Sequence, residues 1–126
     1  MNATGEDGEG RDLATLRAEY LAYLDVQHRA YLDFRDSLDA AADVFRVIRA
    51  QVERDSKVRD LGGFIDPKPL RAALTAGLTE FERTRRVGQG MLFRLLLAEG
   101  ATVEDICRAW DLPREVVELV IADESA

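Results

Sequence analysis

Asp25 and His28 stand three residues apart, a spacing that puts a carboxylate and an imidazole on one face of a helix, as di-iron helix bundles use it. That chemistry needs a second such pair, and His28 is the only histidine of the 126 residues. Cys107 is likewise the only cysteine, so no disulfide can form within the chain. With Ile106 beside it, Cys107 reads as a small buried core residue and not as a redox thiol. Gly88-Gln89-Gly90 lacks the Lys-Ser/Thr that follows in a phosphate loop and reads as a hinge between helices. Tyr20, Tyr23 and Tyr31 with Phe34 keep helical spacing and read as core, not as a base-stacking platform. Neither a nucleophile–base pair nor a paired-carboxylate site emerges. The expectation is a protein that is not an enzyme and holds no cofactor and no metal.

Charge offers a different kind of chemistry. The formal net charge of −7 is unevenly spread: residues 44–98 carry eleven basic against six acidic residues, and residues 99–126 carry two against eight. One reading pairs these blocks with each other as solvated salt bridges across helix faces. The other makes the middle segment an anion-binding surface, built from Arg46, Arg49, Arg54, Lys57 and Arg59 with Arg83, Arg85, Arg86 and Arg94.

The elements that would position these residues are all helices, and the length suits one domain with its own core. Residues 1–10 hold three glycines and three acids and read as a disordered tail; residues 11–126 read as a single helical domain. From Leu13 to Asp60 there is neither Gly nor Pro. In that stretch Tyr20, Leu24, Gln27, Tyr31, Phe34 and Leu38 follow one another at steps of three or four, with Phe45 one heptad further on, the seam of a long heptad-patterned helix over residues 11–60. The helix either breaks near Asp36, Ser37 and Asp39 into a hairpin or continues and packs against a second copy, so these seven residues are the candidate oligomerisation surface of a homodimer.

Residues 61–69, with two glycines and two prolines, read as the main loop. Central helices are expected over 70–99, interrupted or ended near Gly88 and Gly90. Thr102 with Asp105 forms a capping box that opens a helix ending near Trp110–Asp111, and Pro113 opens the last one, through Ile121. No strand alternation appears, so the fold class is all-α. No apolar run approaches the ~18 residues of a membrane span, the N-terminus is unlike a signal peptide, and a lone cysteine suits a reducing compartment. The expectation is a cytoplasmic protein with no membrane partner. Arginine in large excess over lysine fits a GC-rich bacterial genome.

Residues 102–121, preceded by Phe93-Arg-Leu-Leu-Leu-Ala-Glu-Gly100, resemble the helix-turn-helix of response-regulator DNA-binding domains and of the promoter-reading region of sigma factors. Ile106 falls at the first core position of that pattern, and Cys107 at the small residue where the helices cross. Trp110 and Leu112 bracket the turn, Val117 and Ile121 anchor the second helix, and Gly100 stops the helix before. The resemblance covers residues 93–121 and implies a small bacterial transcription regulator with a helical dimerisation element. Contacts to DNA or to a partner are then expected from Arg83, Arg85, Arg86, Arg94, Arg114, Glu115 and Glu118. The charge of the same segment motivates the alternative, a non-enzymatic adaptor that contacts a regulatory protein and does not bind DNA, since phosphate neutralisation supplies most non-specific DNA affinity.

Overall fold

The structure, a computed structural model, describes residues 12–54, 57 and 66–123. The expected tail over residues 1–10, and residues 61–65 of the expected loop, lie outside the described residues. Four helices follow in order: α1 (Leu13–Glu53), α2 (Pro67–Ala98), α3 (Val103–Trp110) and α4 (Arg114–Ala122). Among the described residues there is no strand, and the chain is all-α.

Helix α1 is continuous, which removes the hairpin alternative. Asp12 caps it, its carboxylate accepting from the Thr15 backbone N–H at 2.9 Å. At the expected break, Ser37 turns its hydroxyl back to donate to the Asp33 carbonyl, 3.3 Å away. The side chain thus bonds within the helix and does not compete with it.

Helix α2 departs from expectation at two places. It begins at Pro67, inside the expected loop, because Asp66 accepts from the Lys68 N–H at 3.1 Å and Pro67 occupies the first helical position. Pro69 is also harmless there, since the N–H groups of the first turn have no helical acceptor. The helix then runs without interruption through Gly88 and Gly90. Both glycines are buried, and each serves a close approach by another element. A Cβ on Gly88 would run into the Gln27 side-chain amide, and one on Gly90 would lie 3.2 Å from the Val120 carbonyl oxygen. Packing thus offsets the roughly 1 kcal/mol that glycine costs within a helix.

The chain divides into two compact units. The first takes in Met1–Gln27 and Arg83–Ala126, of which residues 12–27 and 83–123 are described. Its core is Phe93, Ile106 and Val117, with Leu96, Leu97, Cys107, Leu112 and Ile121 packed around them. Cys107, expected to be buried, is half-buried against this cluster. Each fully enclosed side chain of this kind stabilises by about 1.5–3 kcal/mol. Trp110 meets Phe93 edge to face with ring centroids 5.0 Å apart.

The second unit is His28–Glu82. Its buried apolar residues among those described are Ala30 and Ala41. Phe81 gathers Tyr31 and Phe34, at centroid distances of 4.5 and 5.5 Å. Gly77 sits under Phe34, where an added Cβ would come within 2.9 Å of the ring. Leu38, Phe45, Val47, Val52 and Leu78 are exposed.

Candidate interaction surfaces

Helix α3 is set by its caps. The Thr102 hydroxyl accepts from the Asp105 N–H at 3.0 Å, and the Asp105 carboxylate accepts from the Thr102 N–H at 2.9 Å, completing the capping box read from the sequence. That backbone bond, then the Thr102 side chain and Arg108, hold the Asp105 carboxyl below its ordinary range. At the other end Asp111 takes the left-handed conformation, φ 54°, and the Leu112 N–H donates to the Cys107 carbonyl at 3.1 Å. Helix α2 closes the same way, with Gly100 at φ 106° and the Ala101 N–H donating to the Leu96 carbonyl at 3.0 Å. Pro113 stands at the start of α4 without a side-chain cap.

This frame fixes the surface of α4. Arg114, the only basic residue of that helix, is held between two carboxylates: it donates to Glu118 at 2.9 Å and pairs with Glu104 across from α3. The Glu118 hydrogen bond and then the Glu104 charge raise its pKa. The Glu104 carboxyl is lowered, first by its own backbone N–H and then by Arg114. Glu115 is exposed, and so are Val116 and Leu119, the last at 70%.

The arginines expected to meet DNA from α2 have varied surroundings. Arg94 donates to the Ile121 carbonyl at 3.0 Å and to the Asp123 carbonyl at 3.3 Å, and Arg86 pairs with the Asp123 carboxylate at 3.6 Å. Both therefore face the C-terminal end of α4, where the helix dipole favours a cation. Arg83 is half-buried and Arg85 exposed. Of the remaining basic candidates, Arg46 pairs with Asp43 and Arg49 with Glu53, each within α1. Arg59 lies outside the described residues. Arg17 reaches Glu99 at 2.8 Å, a pair that lies outside the basic 44–98 block, whereas Arg86–Asp123 joins that block to the acidic end.

The seven oligomerisation candidates also divide. Gln27, Tyr31 and Phe34 are half-buried, against Gly88 for the first and Phe81 for the others. Tyr20 is half-buried, and burial raises its phenol pKa. Leu24, Leu38 and Phe45 are exposed, Phe45 at 69%.

Sequence reasoning missed a recess of about 190 Å³ in the first unit, where Tyr20 and Gln27 of α1, Arg85 and Gln89 of α2, and Trp110 of α3 converge. Its one signal in the sequence is a polar seam residue, Gln27, in a chain whose other long helix carries an interior glycine at 88. Among the described residues no three His, Cys, Asp or Glu side chains gather as metal ligands, and no helix is long and apolar enough to cross a membrane. Compared with family models, curated proteins and solved structures, the chain has no match.

Proposed function

We propose that this chain is a non-catalytic interaction protein, a small adaptor whose α3–α4 unit docks a regulatory protein and whose exposed α1 seam pairs with a second copy. One observation carries the reading: Arg114, the cation that α4 would offer to a phosphate, is engaged by Glu104 and Glu118. What α4 presents beside it is Val116, Leu119 and the Glu115 carboxylate. Apolar side chains rimmed by carboxylates suit a protein partner with a basic edge. They suit a polyanion poorly, because the carboxylates would enter the negative potential of the groove. Pairing between copies is supported by the exposed Leu38 and Phe45 at seam positions.

A second reading, a DNA-binding regulator, keeps support from the packing of Phe93, Ile106 and Val117 around the Asp111 turn, the apolar positions of the helix-turn-helix it resembles. Fluorescence anisotropy with labelled duplex DNA at low and at moderate salt separates the two. The adaptor shows no salt-sensitive affinity, and Arg83→Ala, Arg86→Ala and Glu118→Gln change nothing. Salt-sensitive binding that weakens with the arginine substitutions and strengthens with Glu118→Gln would replace the adaptor with the regulator.

A further inference from the structure

We infer that copies of this chain associate head to tail, α4 of one copy docking on the side of the α1–α2 pair that carries Leu38, Phe45 and Leu78 on another. The inference rests on the reading of the exposed α1 seam as a pairing surface, and it names what that seam meets.

The receiving surface lies wholly in the second unit. Leu38, Phe45 and Val52 recur every seven residues and are exposed, so they draw an apolar line along α1 with one side chain every ~10 Å. As α1 advances from Tyr31 to Phe34, its neighbour in α2 steps back from Phe81 to Gly77, so the two helices run antiparallel here. Seen along its own helix, Leu38 is turned clockwise from Phe34 and Leu78 clockwise from Gly77, and in antiparallel helices equal senses fall on the same side. Leu78, also exposed, therefore joins the line. One heptad before Leu78 the same edge of α2 carries Arg71, and neither Arg71 nor Lys68 has an ion pair among the described residues. Glu53, next to Val52, is taken up by Arg49. Over residues 44–71 the chain holds seven basic against four acidic residues.

The docking element has the opposite character. Val116 and Leu119 stand three residues apart on one face of α4, with Glu115 four residues before Leu119. All three are exposed, and Glu115 has no ion pair among the described residues. Both basic residues of the acidic segment 99–126, Arg108 and Arg114, are engaged by that segment's own carboxylates. Helix α4, nine residues and about 13 Å long, spans one step of the apolar line. Docked there, Val116 and Leu119 cover side chains that the single chain leaves in water, and Glu115 meets the side that bears Arg71 and Lys68. Two copies of the basic surface set against each other would gain the apolar contact but bring cation to cation. A helix face this short buries less than a standard interface of ~1,600 Å², which places the affinity in the micromolar range. A copy seated on the line also occupies the α4 surface that would dock a regulatory protein, so assembly and docking compete.

A head-to-tail contact joins two different patches, and this makes it separable from a symmetric one. Light scattering on the full chain at low salt, from about 1 to about 200 µM, reads the assembly. Phe45→Asp and Leu119→Asp should each weaken it by about 30-fold or more. The two side chains are 69% and 70% exposed, so circular dichroism of each variant should match the parent before mixing. Mixed in equal amounts the variants should associate again and stop at two copies, because the intact α4 of one docks on the intact α1 line of the other. Arg71→Glu should cost about ten-fold, and raising salt to about 0.5 M several-fold. Assembly that Phe45→Asp removes and Leu119→Asp leaves alone means that two seams meet each other, which overturns the inference and keeps the pairing reading. Loss in both variants without rescue in the mixture, or assembly indifferent to salt and to Arg71→Glu, overturns it as well. A native chain that stays monomeric throughout overturns both the inference and the pairing reading.

Discussion

The two units differ in what they enclose. In the first, Phe93, Ile106 and Val117 are out of contact with water, and both ends of α3 are closed by hydrogen bonds. In the second, the buried apolar residues described are two alanines, while Leu38, Phe45, Val47, Val52 and Leu78 stay exposed. Apolar surface removed from water is the main source of stability. The first unit therefore has its own core, and the second, among its described residues, leaves a substantial part of its apolar side chains exposed.

The sharpest way to break that contrast is to cut an aromatic ring from each side of it. Phe93→Ala should destabilise by about 3–5 kcal/mol, through lost transfer energy and the cavity left behind. Phe45→Ala should change the unfolding free energy of dilute, unassociated protein by less than about 0.5 kcal/mol. Urea unfolding followed by circular dichroism measures both, and equal losses would erase the distinction between the units.

Next in size is the effect on assembly. Leu38→Asp together with Phe45→Asp should convert a dimer into a monomer while leaving the Phe93 core intact, since the two carboxylates are solvated only when the seam is open. Light scattering on the native and altered chains checks this. A native chain that is monomeric at micromolar concentration would mean that the exposed seam has a different use.

Smaller effects come from the ends of α3. Thr102→Ala should cost about 1 kcal/mol of stability, measured by thermal unfolding. The carboxyls of Asp12, Glu104 and Asp105 all have lowered pKa values in the fold, against ordinary values of 3.8, 4.5 and 3.8. The sign follows from the direction: their stabilisation is present above those ordinary values and is lost as pH falls through the lowered ones. Melting temperature should thus drop between about pH 5 and about pH 2, and Asp105→Asn should shrink the drop.

A further small change is a gain. Asp111 holds a left-handed backbone that glycine adopts without a Cβ penalty, so Asp111→Gly should stabilise by about 0.5–1 kcal/mol. Gly100→Ala is the converse and should destabilise, although nothing lies within 4 Å of the added carbon. Chemical denaturation of the two variants gives opposite signs if backbone conformation alone is responsible.

What could be read from the sequence was what is locally determined. The steps of three and four through α1 defined a helix, expected over residues 11–60 and found over Leu13–Glu53, and the Thr102–Asp105 box and the Asp111 turn are settled within a few residues of themselves. The continuity of α2 was hidden because Gly88 and Gly90 look like breakers until Gln27 and Val120, 61 and 30 positions away along the chain, are seen to need the room. The start of α2 was hidden by two prolines that only become favourable once Asp66 caps it. At the candidate surfaces, residue types showed which arginines exist but not which meet a carboxylate. The engagement of Arg114 by Glu104, ten residues before it, depends on how α3 and α4 cross.

Arg94 has a consequence in time as well as in energy. A helix of nine residues ordinarily frays at its last turn, where the carbonyls have no partner from the helix itself. Here the guanidinium takes the Ile121 and Asp123 carbonyls, anchoring that turn to α2. Opening the end of α4 therefore requires releasing a charged hydrogen bond, and the Asp123 amide, which donates to the Leu119 carbonyl at 3.0 Å, should exchange its hydrogen on the slow schedule of the Phe93 core, not on that of a free chain end.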